Sequence, residues 1–124
     1  MPTPAPEVGT NLSVLIGTLS RTPEPRTLPS GDELLALEVT VTRPDGPAES
    51  VPVSWLAPPA DALSWPSGAG VLVVGRVRRR FFRAGGTTQS RTEVVASAVV
   101  PVRRTAAVRR ALRGAALALE QAAS

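Results

Sequence analysis

Residues 71–102 read VLVVGRVRRRFFRAGGTTQSRTEVVASAVVPV. Residues 71–83 form one long run of apolar residues and arginines, and residues 91–102 form a second, mainly apolar run. The segment between them, AGGTTQS at residues 84–90, has the glycines and small polar residues of a hairpin tip. We therefore predict two long antiparallel strands joined by a tight turn.

We predict three more strands before this hairpin, at residues 11–19, 33–42 and 50–55. Turn-forming residues at 21–31 and 44–46 separate them, and residues 58–65 are predicted as a short helix or turn. Five strands with a short helix between the third and fourth, followed by a C-terminal helix, match an all-β, five-stranded OB-fold barrel.

The chain divides into three predicted parts. Residues 1–10 are proline-rich and lack periodicity, so we expect a disordered N-terminal tail. Residues 11–103 form the OB-fold domain. Residues 104–124 form the C-terminal helix, in which four apolar residues follow helical spacing: Val108, Leu112, Ala115 and Leu119. A helix of this length needs a packing partner in water, so we expect the stripe to pack on the barrel, through Leu72 and Val74, or on the same helix of another subunit. Of these two sites we favour the subunit contact. The alternative is that the segment is a frayed extension that packs on nothing.

The composition argues against catalysis. The 124 residues contain no His, Cys or Tyr, and all 14 basic residues are arginine. A Ser-His triad, a thiolate nucleophile and a Schiff-base lysine are therefore excluded, and zinc has none of its preferred Cys or His ligands. We expect a protein that is not an enzyme and that has no metal, cofactor or small-molecule substrate.

The charge is unevenly distributed along the chain. Residues 1–75 carry three arginines against eight acids, for a net charge of −5, whereas residues 76–113 carry eleven arginines against one acid, for +10. Guanidinium groups pair with phosphate through two hydrogen bonds and stack on bases, so this basic half favours a nucleic-acid partner. The alternative is a solvated face in an arginine-rich protein.

The first strand of the hairpin carries the strongest binding signal. With a period of two, Arg76, Arg78 and Arg80 lie on one face and Phe82 ends the row. Such arginines can follow a phosphate backbone while the aromatic ring stacks on one base. The alternative is a charged ladder that keeps the hairpin soluble, although no acid intervenes in the row.

Four segments resemble the bacterial single-stranded DNA-binding proteins (SSB) in order and spacing. They are the first strand SVLIGTL at residues 13–19, the RTPEPRTLPSG turn at 21–31, the strand GRVRRRFF at 75–82 and RTEV at 91–94. The resemblance covers residues 11–103. It implies that Phe82 stacks a base, that Arg76, Arg78 and Arg80 face DNA, and that Arg26 contacts DNA or braces the turn. We add the neighbouring Arg83 and Arg91 as candidate contacts.

The same resemblance implies a dimer or tetramer in which first strands pair across a two-fold axis, and residues 11–19 are apolar on both faces. Three departures from the family point to a short paralogue with weaker binding. Ser50 stands where the family has Trp, the hairpin at residues 43–49 is short, and residues 105–124 replace the linker and acidic C-terminal tip. Trp55 shares its face with core residues, whereas Trp65 could cap the barrel or stack a base.

We therefore expect sequence-tolerant binding of single-stranded DNA, in replication, repair or recombination. The alternatives are an OB-fold adaptor similar to primosomal replication protein B, with weak nucleic-acid binding, and RNA binding. No basic, apolar leader begins the chain, and the longest apolar run, at residues 71–74, is too short for a membrane span, so we expect no membrane partner and a cytoplasmic location.

Overall fold

The computed structural model describes residues 9–123, so most of the predicted tail, residues 1–8, lies outside the described residues. The described chain forms six strands, one turn of 3-10 helix and one α-helix. Their bounds are β1 Ser13–Leu19, β2 Glu24–Thr27, β3 Glu33–Arg43, β4 Gly46–Leu56, the 3-10 turn Ala60–Ser64, β5 Gly70–Ala84, β6 Thr87–Pro101 and α1 Thr105–Ala123. Among residues 9–123, no helix is long and apolar enough to cross a membrane.

Five of the strands close into a barrel in the order β1-β5-β6-β4-β3-β1. Neighbouring strands are antiparallel except β4 and β6, which run parallel where Val53 lies opposite Val94. Two residues of β1 complete the closure, because Thr18 and Leu19 pair with β3. The predicted all-β barrel is confirmed, and this arrangement is consistent with an OB-fold.

One local prediction was wrong and a second is confirmed only in part. Residues 24–27, predicted as part of a turn, form the edge strand β2, which pairs with β3 outside the barrel. Pro25 is tolerated there because an edge strand has one side that needs no ladder hydrogen bond. The predicted short helix is only a 3-10 turn, since prolines flank it and Pro66 disfavours the α conformation at Trp65, which is extended.

The interior of the barrel is packed with side chains from all five of its strands, including Leu19, Leu35, Val53, Val73 and Val94. Trp55 belongs to this core, as predicted, and Trp65 joins it with ring centroids 5.8 Å apart. Trp65 is therefore buried rather than available to stack a base. Its ring comes from the loop after the 3-10 turn and covers the core.

A β-bulge between Val74 and Gly75 separates the buried half of β5 from its arginine-rich half. A Cβ atom at Gly75 would lie 2.2 Å from the carbonyl oxygen of Val95, so only glycine fits at this close approach. Val71–Gly75 are buried, whereas most residues from 76 to 84 are exposed. The bulge thus marks where β5 changes from buried to mainly exposed residues, while β6 stays paired with β4 as far as Val94.

Helix α1 packs on the outer surface of its own barrel, the first of the two predicted sites. Ala115 is buried against Leu72 and Val74, with Val108 and Ala111 beside it. The start of the helix is tied to the 3-10 turn by an Arg104–Asp61 ion pair of 2.8 Å. Half of the predicted stripe is not covered, because Leu112 and Leu119 stay exposed.

Candidate nucleic-acid interface

The hairpin of β5 and β6 keeps an unbroken antiparallel register from Gly75 opposite Ala96 to Ala84 opposite Thr87. Side chains therefore alternate regularly between its two faces. The face that continues the outside of the barrel is called the outer face, and it carries Arg76, Arg78, Arg80, Phe82, Gln89, Arg91 and Glu93. The opposite face is called the reverse face, and it carries Arg79, Phe81, Arg83, Thr88, Ser90 and Thr92.

Glu93 organises the outer face. Its side chain is only 4% exposed. Arg78 Nη2 donates a hydrogen bond of 2.6 Å to Glu93 Oε1, and Ser54 Oγ donates one of 2.7 Å to Oε2. Arg80 Nε lies 3.9 Å from the same carboxylate. An acid therefore does interrupt the arginine row, but it comes from the neighbouring strand, where the sequence of β5 cannot reveal it.

Two opposing effects act on the Glu93 carboxyl. Burial raises its pKa, since a charged group is less stable away from water. The hydrogen bonds from Arg78 and Ser54 lower the pKa, and so do the two nearby guanidinium charges. The lowering effects prevail, so Glu93 is ionised near neutral pH and holds Arg78 and Arg80 by charge.

A cleft of about 120 Å³ lies on the outer surface between the edge strand β2 and the hairpin. Its lining includes Glu93 and four arginines that come from distant parts of the sequence: Arg21, Arg26, Arg80 and Arg91. Arg21 pairs with Glu38 at 3.4 Å and Arg26 with Glu24 at 3.7 Å, and both arginine side chains are about half exposed. Within residues 9–123, Arg91 has no carboxylate partner, and it lies opposite Arg80 in the hairpin. Like charges in such positions repel, so an anionic ligand would relieve that repulsion.

The structure brings some of the predicted residues together and separates others. Arg26, Arg80 and Arg91 share the cleft, and Arg78 adjoins it through Glu93. Phe82 is 38% exposed, with the guanidinium carbon of Arg80 5.8 Å from its ring centroid.

Two predicted residues lie away from the cleft. Arg76 lines a shallow hollow near Asn11 and Ser97, at the barrel end of the row. Arg83 lies on the reverse face, where its Nη2 donates to the carbonyl oxygen of Gly86.

Two features were missed from the sequence. The first is Arg21, which lines the cleft. In the sequence, its position at the start of the segment 21–31, which resembles the family motif, is the one feature that could have marked it as a candidate. The second is Phe81, which is 65% exposed on the reverse face. The alternation of β5 placed Phe81 opposite to Phe82 but gave no reason to treat its face as a binding surface.

The described residues offer no cluster of three or more His, Cys, Asp or Glu side chains that could hold a metal ion. The cleft instead combines guanidinium groups with an adjacent aromatic ring. Guanidinium groups can bind phosphate through paired hydrogen bonds, and the ring can stack on a base. This chemistry fits a flexible anionic polymer with exposed bases.

Comparison with known proteins found matches among solved structures. No protein-family model matches the chain, and no curated protein matches it by sequence. Among solved structures, the chain is similar to a deletion mutant of the single-stranded DNA-binding protein from Thermus aquaticus, with 25% sequence identity and a TM-score of 0.61 over 74% of this chain. The chain spans 40% of the length of that protein. The likeness supports an SSB-like OB-fold.

Proposed function

We propose that this protein binds single-stranded DNA without sequence preference, along the outer face and the cleft beside it. The observation that carries the proposal is the convergence of Arg26, Arg80 and Arg91 on one cleft, with Phe82 at the end of the same row. Similarity to a single-stranded DNA-binding protein from Thermus aquaticus supports the same polymer.

The arginines and the phenylalanine of the site have different roles in the proposed DNA binding. Arg91 and Arg26 contact phosphates, because their charges lie at the cleft and none of their donors is held by a buried group. Arg78 lies beside the cleft, where its 2.6 Å contact with Glu93 holds it in place, and Arg80 lines the cleft 3.9 Å from the same carboxylate. Phe82 stacks one base, a contact worth about 1–3 kcal/mol that every base can make.

A titration by fluorescence anisotropy tests the proposal, with labelled oligonucleotides of dT, rU and duplex DNA at one salt concentration. We expect dT to bind more tightly than the duplex, because only a single strand exposes its bases to Phe82. Preference for rU would assign the cleft to RNA. Absence of binding to all three would favour an OB-fold adaptor that works through protein contacts.

We also propose that the protein associates with itself through β1. Along Ser13–Thr18 this strand pairs with β5, but it pairs with β3 only at Thr18 and Leu19. Its other edge is therefore open over most of its length, and open edges are sites of strand pairing. Ile16 is 59% exposed on the outer side of the same strand, and Val14 is exposed beside it. Antiparallel pairing of two β1 strands would cover both the edge and these side chains.

A further inference from the structure

The reverse face of the hairpin repeats the chemistry of the outer face. Each face carries one phenylalanine, and on each a guanidinium lies over the ring, at 5.8 Å for Arg80 over Phe82 and 5.6 Å for Arg79 over Phe81. The two aromatic residues are adjacent in sequence and point to opposite sides of the ribbon. The proposed function uses only one of these two pairs.

Phe81 is the more accessible of the two rings. It is 65% exposed, against 38% for Phe82. The guanidinium above it is held in place, because Arg79 Nη2 and Nε donate hydrogen bonds of 3.1 and 3.3 Å to Ser90 Oγ. Ser90 lies directly across the hairpin from Phe81. The ring and the guanidinium are therefore arranged before any ligand binds.

The charge of the reverse face is uncompensated. On the outer face, Glu93 neutralises part of the arginine charge. On the reverse face, the residues opposite Arg79 and Arg83 are Thr92 and Thr88, which are neutral. No acid of residues 9–123 forms an ion pair with Arg79 or Arg83. A surface with an exposed ring and two arginines that no acid neutralises suits a single-stranded nucleic acid, since phosphates pair with arginine and bases stack on phenylalanine.

We propose that the reverse face binds a second segment of the same single-stranded DNA that occupies the outer face. This inference rests on the proposed function. The two faces are opposite sides of one two-stranded ribbon, and its strands lie only about 5 Å apart, so the path around its edge is short. A flexible strand that leaves Phe82 can pass around the edge of the hairpin and reach Phe81. The DNA would then wrap around the hairpin and contact both of its faces.

Length dependence distinguishes two segments from one. Anisotropy titrations would use labelled dT oligonucleotides from roughly 6 to 30 nucleotides, a range that brackets the site sizes of OB-folds. Wild-type affinity should rise in two stages as first the outer face and then the reverse face is filled. Phe81→Ala should remove the second stage, with a loss of about tenfold on long oligonucleotides, and leave short ones unchanged. Phe82→Ala should weaken binding at every length.

Matched variants separate stacking from simple apolar contact. Phe81→Trp should keep the second stage and Phe81→Leu should lose it, because only Trp presents a π-face. Circular dichroism and a thermal melt of each variant would show that the fold is kept, as expected for an exposed side chain.

Two results would overturn the inference. Wild-type affinity of Phe81→Ala at every length would mean that the reverse face does not bind DNA. An equal loss on short and long oligonucleotides would place Phe81 in the first segment and exclude a second one. Failure of the proposed function looks different, since the wild-type protein would then bind no dT oligonucleotide of any length.

Discussion

Arg78 and Glu93 face each other across the β5–β6 hairpin, and Arg78 Nη2 donates a 2.6 Å hydrogen bond to Glu93 Oε1. The carboxylate is buried while the guanidinium is partly exposed. The pair therefore links a buried carboxylate of the fold to an arginine on the candidate DNA-binding surface. Its acid comes from β6 and its base from β5, so it also fixes the register of the two strands.

Replacing the buried acid should destabilise the fold. Glu93→Gln removes the charge that compensates Arg78 and weakens two charge-assisted hydrogen bonds, at a cost of about 1–3 kcal/mol in the free energy of unfolding. Urea denaturation followed by circular dichroism measures this. Glu49→Gln is the matched control, because Glu49 pairs with Arg43 at 2.7 Å but is exposed, and such pairs contribute about 0–1 kcal/mol. Equal losses in the two variants would show that Glu93 has no special structural role.

The same carboxylate should make stability depend on pH. Because the folded protein lowers the pKa of Glu93, its contribution is fully present above the ordinary glutamate range and is lost as the pH falls through the lowered value. The gap in unfolding free energy between the wild type and Glu93→Gln should therefore narrow from pH 7 toward strongly acidic pH. Asp61, whose pKa is lowered by its hydrogen bond from Arg104, is present in both proteins and cancels. A gap that stays constant down to the lowest accessible pH would contradict this assignment.

The salt dependence of DNA binding should report on Arg91. Arg91→Ser removes one phosphate contact, so the slope of log K against log salt should flatten by about 0.7, with all sequences weakened alike. Arg113→Ser makes the same charge change on the exposed side of α1 and should leave the slope unchanged. If both variants flatten the slope equally, binding depends on net charge rather than on the cleft.

Self-association should depend on the exposed outer side of β1. Ile16→Glu places a charge on the surface proposed to be covered by a second copy, so the mass measured by light scattering should fall to that of one chain. Leu63→Glu changes another exposed apolar residue, on the 3-10 turn, and should leave the mass unaltered. If light scattering gives the wild-type protein the mass of a single chain, the proposal of self-association through β1 is wrong.

Helix α1 shows what local sequence patterns can and cannot predict. Its observed bounds, Thr105–Ala123, agree closely with the predicted residues 104–124, because alanine, leucine and arginine favour helix and four apolar residues follow its period. The stripe itself was only half correct. Val108 and Ala115 pack on Leu72 and Val74, while Leu112 and Leu119 remain exposed, since the width of the contact depends on the barrel and not on the helix.

The features that could be predicted from the sequence depend on residues close together along the chain. The alternation of β5 placed Arg76, Arg78, Arg80 and Phe82 on one face, because successive side chains of an extended strand point to opposite sides. Most strands and turns could be predicted in the same way, because alternating apolar residues and clusters of glycine, proline and serine are patterns of neighbouring residues. Three features became visible only in the folded chain: Glu93 contacts that row, Arg21 and Arg26 line one cleft with Arg80 and Arg91, and residues 24–27 form a strand. Each of these depends on the register between strands far apart in sequence, and register is set by the packing of the whole barrel.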